Sequence, residues 1–149
     1  MTSLAVDKIK KKVTVGLSDQ RQISGHLFLS PFSESGVGRQ TILDLLTGKD
    51  RFIPFETSEG EFTFLNQSHI IWLAAAQEKA SGETAAPPPG HTVNMLLQGG
   101  KKLRGDLVMA MPEEKSRLSD VLNEITNFMV IRDAKKEILV NVDFVVRVA

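Results

Sequence analysis

The sequence predicts a mainly β protein, a tandem duplication of one small barrel with four to five antiparallel strands and one short helix per copy. Three observations predict it. Val13, Val15, Leu17, Ile23, Gly25, Leu27 and Leu29 recur without a gap, eighty positions on, as Val93, Met95, Leu97, Leu103, Gly105, Leu107 and Met109. Both runs alternate with period 2, the pattern of a half-buried strand. Between the copies, residues 77–90 carry no hydrophobic periodicity, and Pro87-Pro88-Pro89 favours an extended, stiff linker. The expected organisation is a tail at 1–12, a first repeat at 13–74, a linker at 75–91 and a second repeat at 92–149.

Each repeat opens with a hairpin. Ser18-Asp19-Gln20-Arg21 and Gln98-Gly99-Gly100-Lys101 supply the turns. Gly25 and Gly105 fall mid-strand, where glycine marks a sharp bend or bulge of the kind that closes a short sheet into a barrel. The helix is clearest at residues 119–125, with Ser119 as cap and Asp120 near the positive N-terminal end. Thr41-Ile42-Leu43-Asp44 has the spacing of a capping box in the first copy. Leu45, Leu46, Val121 and Leu122 are then placed to plug the open end of each sheet. Closing blocks match as well: residues 52–55 with 128–131, Asn66 with Asn141, and Ile71-Trp72-Leu73-Ala74 with Val146-Arg147-Val148-Ala149. Residues 30–38 form a loop peculiar to the first copy.

Composition narrows the function. The formal net charge is zero, so the global basic field of a dedicated nucleic-acid binder is missing. Absence of cysteine excludes a disulfide framework, zinc-thiolate sites and cysteine nucleophiles, and fits a reducing compartment. The first residues have no signal-like apolar core and no stretch approaches a membrane span, so a cytoplasmic location away from membranes is expected. His26, His69 and His91 stand apart from ligand-spaced partners, and His69 aligns with Phe144 in a core-facing phase. Gly36-Val37-Gly38-Arg39 lacks the ending and the preceding strand of a phosphate loop. No metal, cofactor or catalytic chemistry is expected.

Arg117-Leu118-Ser119-Asp120-Val121-Leu122-Asn123, followed by Phe128 and Asp133-Ala134, resembles a family of uncharacterised prokaryotic domains marked by Arg-Leu-Ser-Asp-Leu-Leu-Asn. The resemblance implies a polar cluster of Arg117, Ser119, Asp120 and Asn123. The first copy departs from it, with Leu43 and Thr47 where the second has Ser119 and Asn123. More widely, Val-x-Val-x-Leu, a turn and Ile-x-Gly-x-Leu followed by a closing β-pair are similar to the Sm-like barrel. That likeness implies an SH3/Sm-like fold, single-stranded RNA as ligand and ring assembly. Where such proteins carry a cationic knuckle before the last strand, this chain has Asn66-Gln67-Ser68 and Asn141-Val142-Asp143.

Two sets of residues are candidates for contact. Lys101, Lys102 and Arg104 decorate the tip of the second hairpin, as nucleic-acid contacts or as an ordinary exposed tip. Trp72 aligns with Arg147; with Phe144, Val146 and Val148 facing the core, Arg147, Trp72 and Ile70 face out. An outward Trp-Ile pair predicts packing against the second copy or another chain, the alternative being core burial in a shifted register. The expected role is a non-catalytic interaction or regulatory module acting through a protein partner or self-association, with RNA binding as the alternative.

Overall fold

The computed structural model describes residues 8–32, 38, 40–76, 91–108 and 118–149, which fall into two compact units at residues 1–70 and 71–149. The described strands pair antiparallel throughout, so the protein is mainly β.

In the first unit, β1 (Ile9–Leu17) and β2 (Gln22–Leu29) form the opening hairpin. The Leu17 amide donates to the Arg21 carbonyl at 2.9 Å, and Gln20 takes the left-handed turn conformation at φ 71°. Helix α1 (Ile42–Leu46), β3 (Phe52–Thr57) and β4 (Phe62–Asn66) follow, giving the order β1-β2-β3-β4. Alternation turns Val13, Val15, Leu27, Leu29, Ile53, Phe55 and Leu65 inward, and all are buried. With only five residues, α1 cannot stand on propensity. Its capping box is complete: the Asp44 amide donates to Thr41 Oγ1, and the Thr41 amide donates to the Asp44 carboxylate, each at 3.0 Å. The other support is burial of Ile42 and Leu46. The loop that precedes α1 is clamped at its neck, where Ser30 N donates to Gln40 Oε1 and Gln40 N to the Ser30 carbonyl, both 3.0 Å.

In the second unit, β6 (His91–Leu97), β7 (Lys102–Leu107), α2 (Leu118–Glu124), β8 (Phe128–Asp133) and β9 (Lys136–Asn141) follow in the same sequence. Two further strands complete the sheet. β10 (Val145–Val148) pairs with β6, and β5 (Ile70–Ala76), which precedes the linker, pairs with β9 in the register Trp72↔Val140 and Leu73↔Leu139. The order is β10-β6-β7-β8-β9-β5. Ile71 and Trp72 from β5 join Val93, Met95, Leu97, Leu107, Val121, Met129, Ile131, Ile138 and Val140 in one buried cluster.

Several features recur at matched positions. Val13 pairs with Gly25, and Val93 with Gly105. A Cβ at Gly25 would run into the Glu56 carbonyl oxygen and lie 2.8 Å from the Phe55 ring. One at Gly105 would lie 2.7 Å from the Arg132 carbonyl oxygen and 2.5 Å from Ile131 Cγ2. Glycine is therefore what lets β2 approach β3, and β7 approach β8. Asn66 and Asn141 each accept a hydrogen bond from the amide two residues on, at 3.1 and 3.0 Å, capping the 3-10 turns Gln67–His69 and Val142–Phe144.

The structure departs from the sequence reading in several places. Residues 9–12, expected in the tail, are strand, because Ile9 to Lys12 pair with Leu29 to His26. Ala75, Ala76 and His91, expected in the linker, lie in β5 and β6, and the boundary between units falls after Ile70 rather than after residue 74. Helix α2 starts at Leu118, so Ser119 is inside its first turn and is not the cap. Val146, expected to face the core, is 64% exposed, since a register shift between Val145 and Arg147 breaks the alternation. Exposed His69 departs from its core-facing phase because it sits in a 3-10 turn, where it hydrogen-bonds Ser18 Oγ at 2.7 Å through Nδ1. The loop residues 33–37 and 39, the linker residues 77–90, and Met109 lie outside the described residues.

Replacing Gly105 with Ala is expected to destabilise the protein by about 1–3 kcal/mol, the usual cost of forcing atoms into a filled site. Urea denaturation followed by circular dichroism checks it; an unchanged midpoint would show that β7 and β8 are not in close contact.

Candidate functional site

Trp72 and Ile70 are both buried, at 8% and 0% exposure. Residues 70–73 are buried without alternation, so β5 is covered on both faces and a period-2 phase does not describe it. The Lys101 ammonium lies 4.5 Å above the centre of the Trp72 ring, within the second unit. This is a cation–π contact.

Lys102 and Arg104 do come together with a third cation. Alternation along β7 puts both side chains on the outer face, beside β6, and the β10–β6 pairing brings Arg147 opposite Leu96. The result is a shallow depression lined by Asn94, Met95, Leu96, Lys102, Leu103, Arg104, Arg147 and Ala149. The sequence alone does not single out Arg147 as a contact, because only the β10–β6 register places it there. The depression holds three positive charges in one concave surface, a chemistry suited to phosphate groups.

The signature residues do not build a comparable site. Ser119, Asp120 and Asn123 lie exposed on α2, and Asn123 Nδ2 donates to the Ser119 carbonyl at 2.8 Å within its own helix. Arg117 lies outside the described residues. Among the described residues no three His, Cys, Asp or Glu side chains are grouped to hold a metal, and no helix is long and apolar enough to cross a membrane.

The sequence reading missed an exposed aromatic surface. On the first unit, Phe52, Phe62 and Phe64 are 57%, 56% and 59% exposed. Register explains their company: Phe52 pairs with Asn66, Pro54 with Phe64 and Glu56 with Phe62, so these positions share one face of β3 and β4. Phe62 stacks edge-on to Phe64 with centroids 5.4 Å apart, and Phe28 of β2 lies 5.8 Å from Phe62. At its border, Lys10 and Glu56 form an ion pair at 3.1 Å. An exposed aromatic cluster with a polar border is the usual mark of an interaction surface. A signal was present: Phe62 and Phe64 occupy the phase opposite to core-facing Leu65 on one short strand.

Trp72→Ala is expected to cost about 3–5 kcal/mol, since it empties a core position. Lys101→Met should cost only about 0.5–1 kcal/mol, the worth of an exposed cation–π contact. Chemical denaturation of the two variants measures both; a Trp72→Ala loss as small as that of Lys101→Met would contradict the packing of β5 into this core. Comparison of the chain with family models, with curated proteins and with solved structures finds no match in any of the three.

Proposed function

We propose that the chain is a tandem duplication of a small SH3/Sm-type barrel that works in the cytoplasm as a non-catalytic interaction module, with the aromatic face of β3 and β4 as its binding surface. The single observation that carries this reading is the cluster of Phe52, Phe62 and Phe64, each more than half exposed. Leaving three phenylalanines in water forgoes several kcal/mol of burial, on the order of 1.5–3 kcal/mol for each side chain fully covered. A partner that covers them recovers that free energy. Duplication is supported by the matched registers at Gly25 and Gly105 and by the matched caps at Asn66 and Asn141.

Affinity capture with the full chain tests the module reading, compared with the Phe52→Ser, Phe62→Ser, Phe64→Ser triple variant. Protein partners retained by the wild type and lost from a variant of unchanged thermal midpoint are expected; equal retention would overturn the reading.

Single-stranded RNA binding is a second reading, favoured by the Lys102, Arg104 and Arg147 depression. It predicts fluorescence-anisotropy binding to an oligonucleotide that weakens steeply with salt. Neutralising all three cations should lower the slope of log affinity against log salt by roughly two, at about 0.7 for each phosphate that the protein ceases to neutralise. An unchanged slope would sink that alternative.

A further inference from the structure

We infer that the depression formed by Lys102, Arg104 and Arg147 is a binding site for one compact oligophosphate ion, either a soluble chain of phosphate groups or a headgroup that carries several. The site lies on the second unit and does not depend on the aromatic-face reading.

Strand pairing assembles the three cations. Lys102 and Arg104 are two residues apart on β7, so both leave the same exposed face, with Cα atoms roughly 6.6 Å apart. Lys102 stands opposite Leu96 on β6, and Leu96 opposite Arg147 on β10, which puts Arg147 in the same row. Arg104 stands opposite Asn94 in the next row. The register shift between Val145 and Arg147 is what brings Arg147 here. An extra residue on one strand re-aims the side chains that follow it, and bulges are over-represented beside functional sites. Beyond the bulge, Ala149 exchanges two 2.8 Å backbone bonds with Asn94, which fixes the strand that carries Arg147.

The charge of this cluster is unanswered. Elsewhere on the strands, Lys10 lies 3.1 Å from Glu56, and Arg132 lies 3.4 Å from Glu137. Among the described residues, no carboxylate pairs with Lys102, Arg104 or Arg147. Three like charges gathered on one concave surface repel one another, and an anion seated between them removes that cost. The positions matched to them in the first repeat hold Gln22, Ser24 and Trp72, so the three cations occur together in one copy and are replaced together in the other.

The extent of the cluster selects a compact ion over a strand. A single strand is held by a cationic groove that follows its backbone and by aromatic side chains on which its bases stack. Here the cationic surface spans two rows. In the third row Asp106 accepts from Thr92 Oγ1 at 2.7 Å, and Arg132 opposite it belongs to Glu137, so that row adds no unpaired cation. Among the described residues no aromatic side chain lines the depression. Its volume of about 380 Å³ is at the small end for a ligand site, where roughly 300–1,000 Å³ is usual. Arg104 and Arg147 each offer a planar fork to two phosphate oxygens, and Lys102 adds a point charge.

Isothermal titration calorimetry of the full chain with inorganic tripolyphosphate at low salt tests the assignment. Saturable binding of one ion per chain is expected. Arg147→Gln, and separately Lys102→Gln with Arg104→Gln, should weaken it roughly tenfold or more at an unchanged thermal midpoint, the usual effect of losing charge-assisted hydrogen bonds. Arg147→Lys keeps the charge and loses the fork, so its affinity should fall between those of the wild type and Arg147→Gln. Lys135→Gln, which removes an exposed cation at the β8–β9 turn, should leave binding unchanged. Vesicles carrying phosphatidylinositol 4,5-bisphosphate distinguish the two sources: sedimentation with them, abolished by Arg147→Gln, assigns a lipid headgroup, and tripolyphosphate binding without sedimentation assigns a soluble ion. Absence of saturable binding by both calorimetry and thermal shift, or equal affinity in Arg147→Gln, would overturn the site. An oligouridylate that binds more than about tenfold tighter than tripolyphosphate at the same salt, through the same three residues, would replace the compact ion with a strand.

Discussion

The pairing of β5 with β9 is the contact on which the second unit depends. β5 is written before the linker, yet it supplies Ile71 and Trp72 to the core that residues 91–149 build. Its partner Val140 lies far along the chain, so the strand docks only after the entropy of closing a long loop has been offset. Such non-local pairing is slow to form compared with a hairpin. A cut placed in the linker would therefore split a core rather than separate two modules. The Lys101 ammonium over the Trp72 ring adds a modest further tie between β5 and the β6–β7 turn.

The local elements were legible because local physics decides them. Strict alternation showed both hairpins, and the Thr41/Asp44 spacing announced the cap of α1. Gly25 and Gly105 stood out as mid-strand glycines and read as bends or bulges, whereas in the structure they let a neighbouring carbonyl come near. What escaped was set by neighbours in space. Ile9 to Lys12 read as a charged tail, and became strand because Leu27 and Leu29 needed a partner of matching length. β5 is buried on both sides, so its side chains carry no alternation to read. The bulge before Arg147 reversed the phase of Val146 and brought a third cation beside Lys102 and Arg104.

The two units differ in surface chemistry while sharing backbone features. The first presents phenylalanines where the second has buried or charged residues; Phe62 corresponds in sequence to Glu137, which pairs with Arg132 at 3.4 Å. The second presents cations where the first has polar or apolar groups: Gln22 and Ser24 stand in place of Lys102 and Arg104. Shared strand registers thus carry an apolar surface in one unit and a basic one in the other. A fold of this size tolerates such exchange because its core uses one phase of each strand and leaves the other phase open to change.

The double clamp between Ser30 and Gln40 has a consequence for how this chain can be altered. Two reciprocal hydrogen bonds between Ser30 and Gln40 hold the end of β2 beside the start of α1. Lengthening a flexible segment between fixed ends costs only about 0.6 kcal/mol for each doubling. The neck at Ser30 and Gln40 therefore makes the connection between β2 and α1 a natural port, where an epitope or a whole reporter domain can be grafted while the strands on either side keep their pairing.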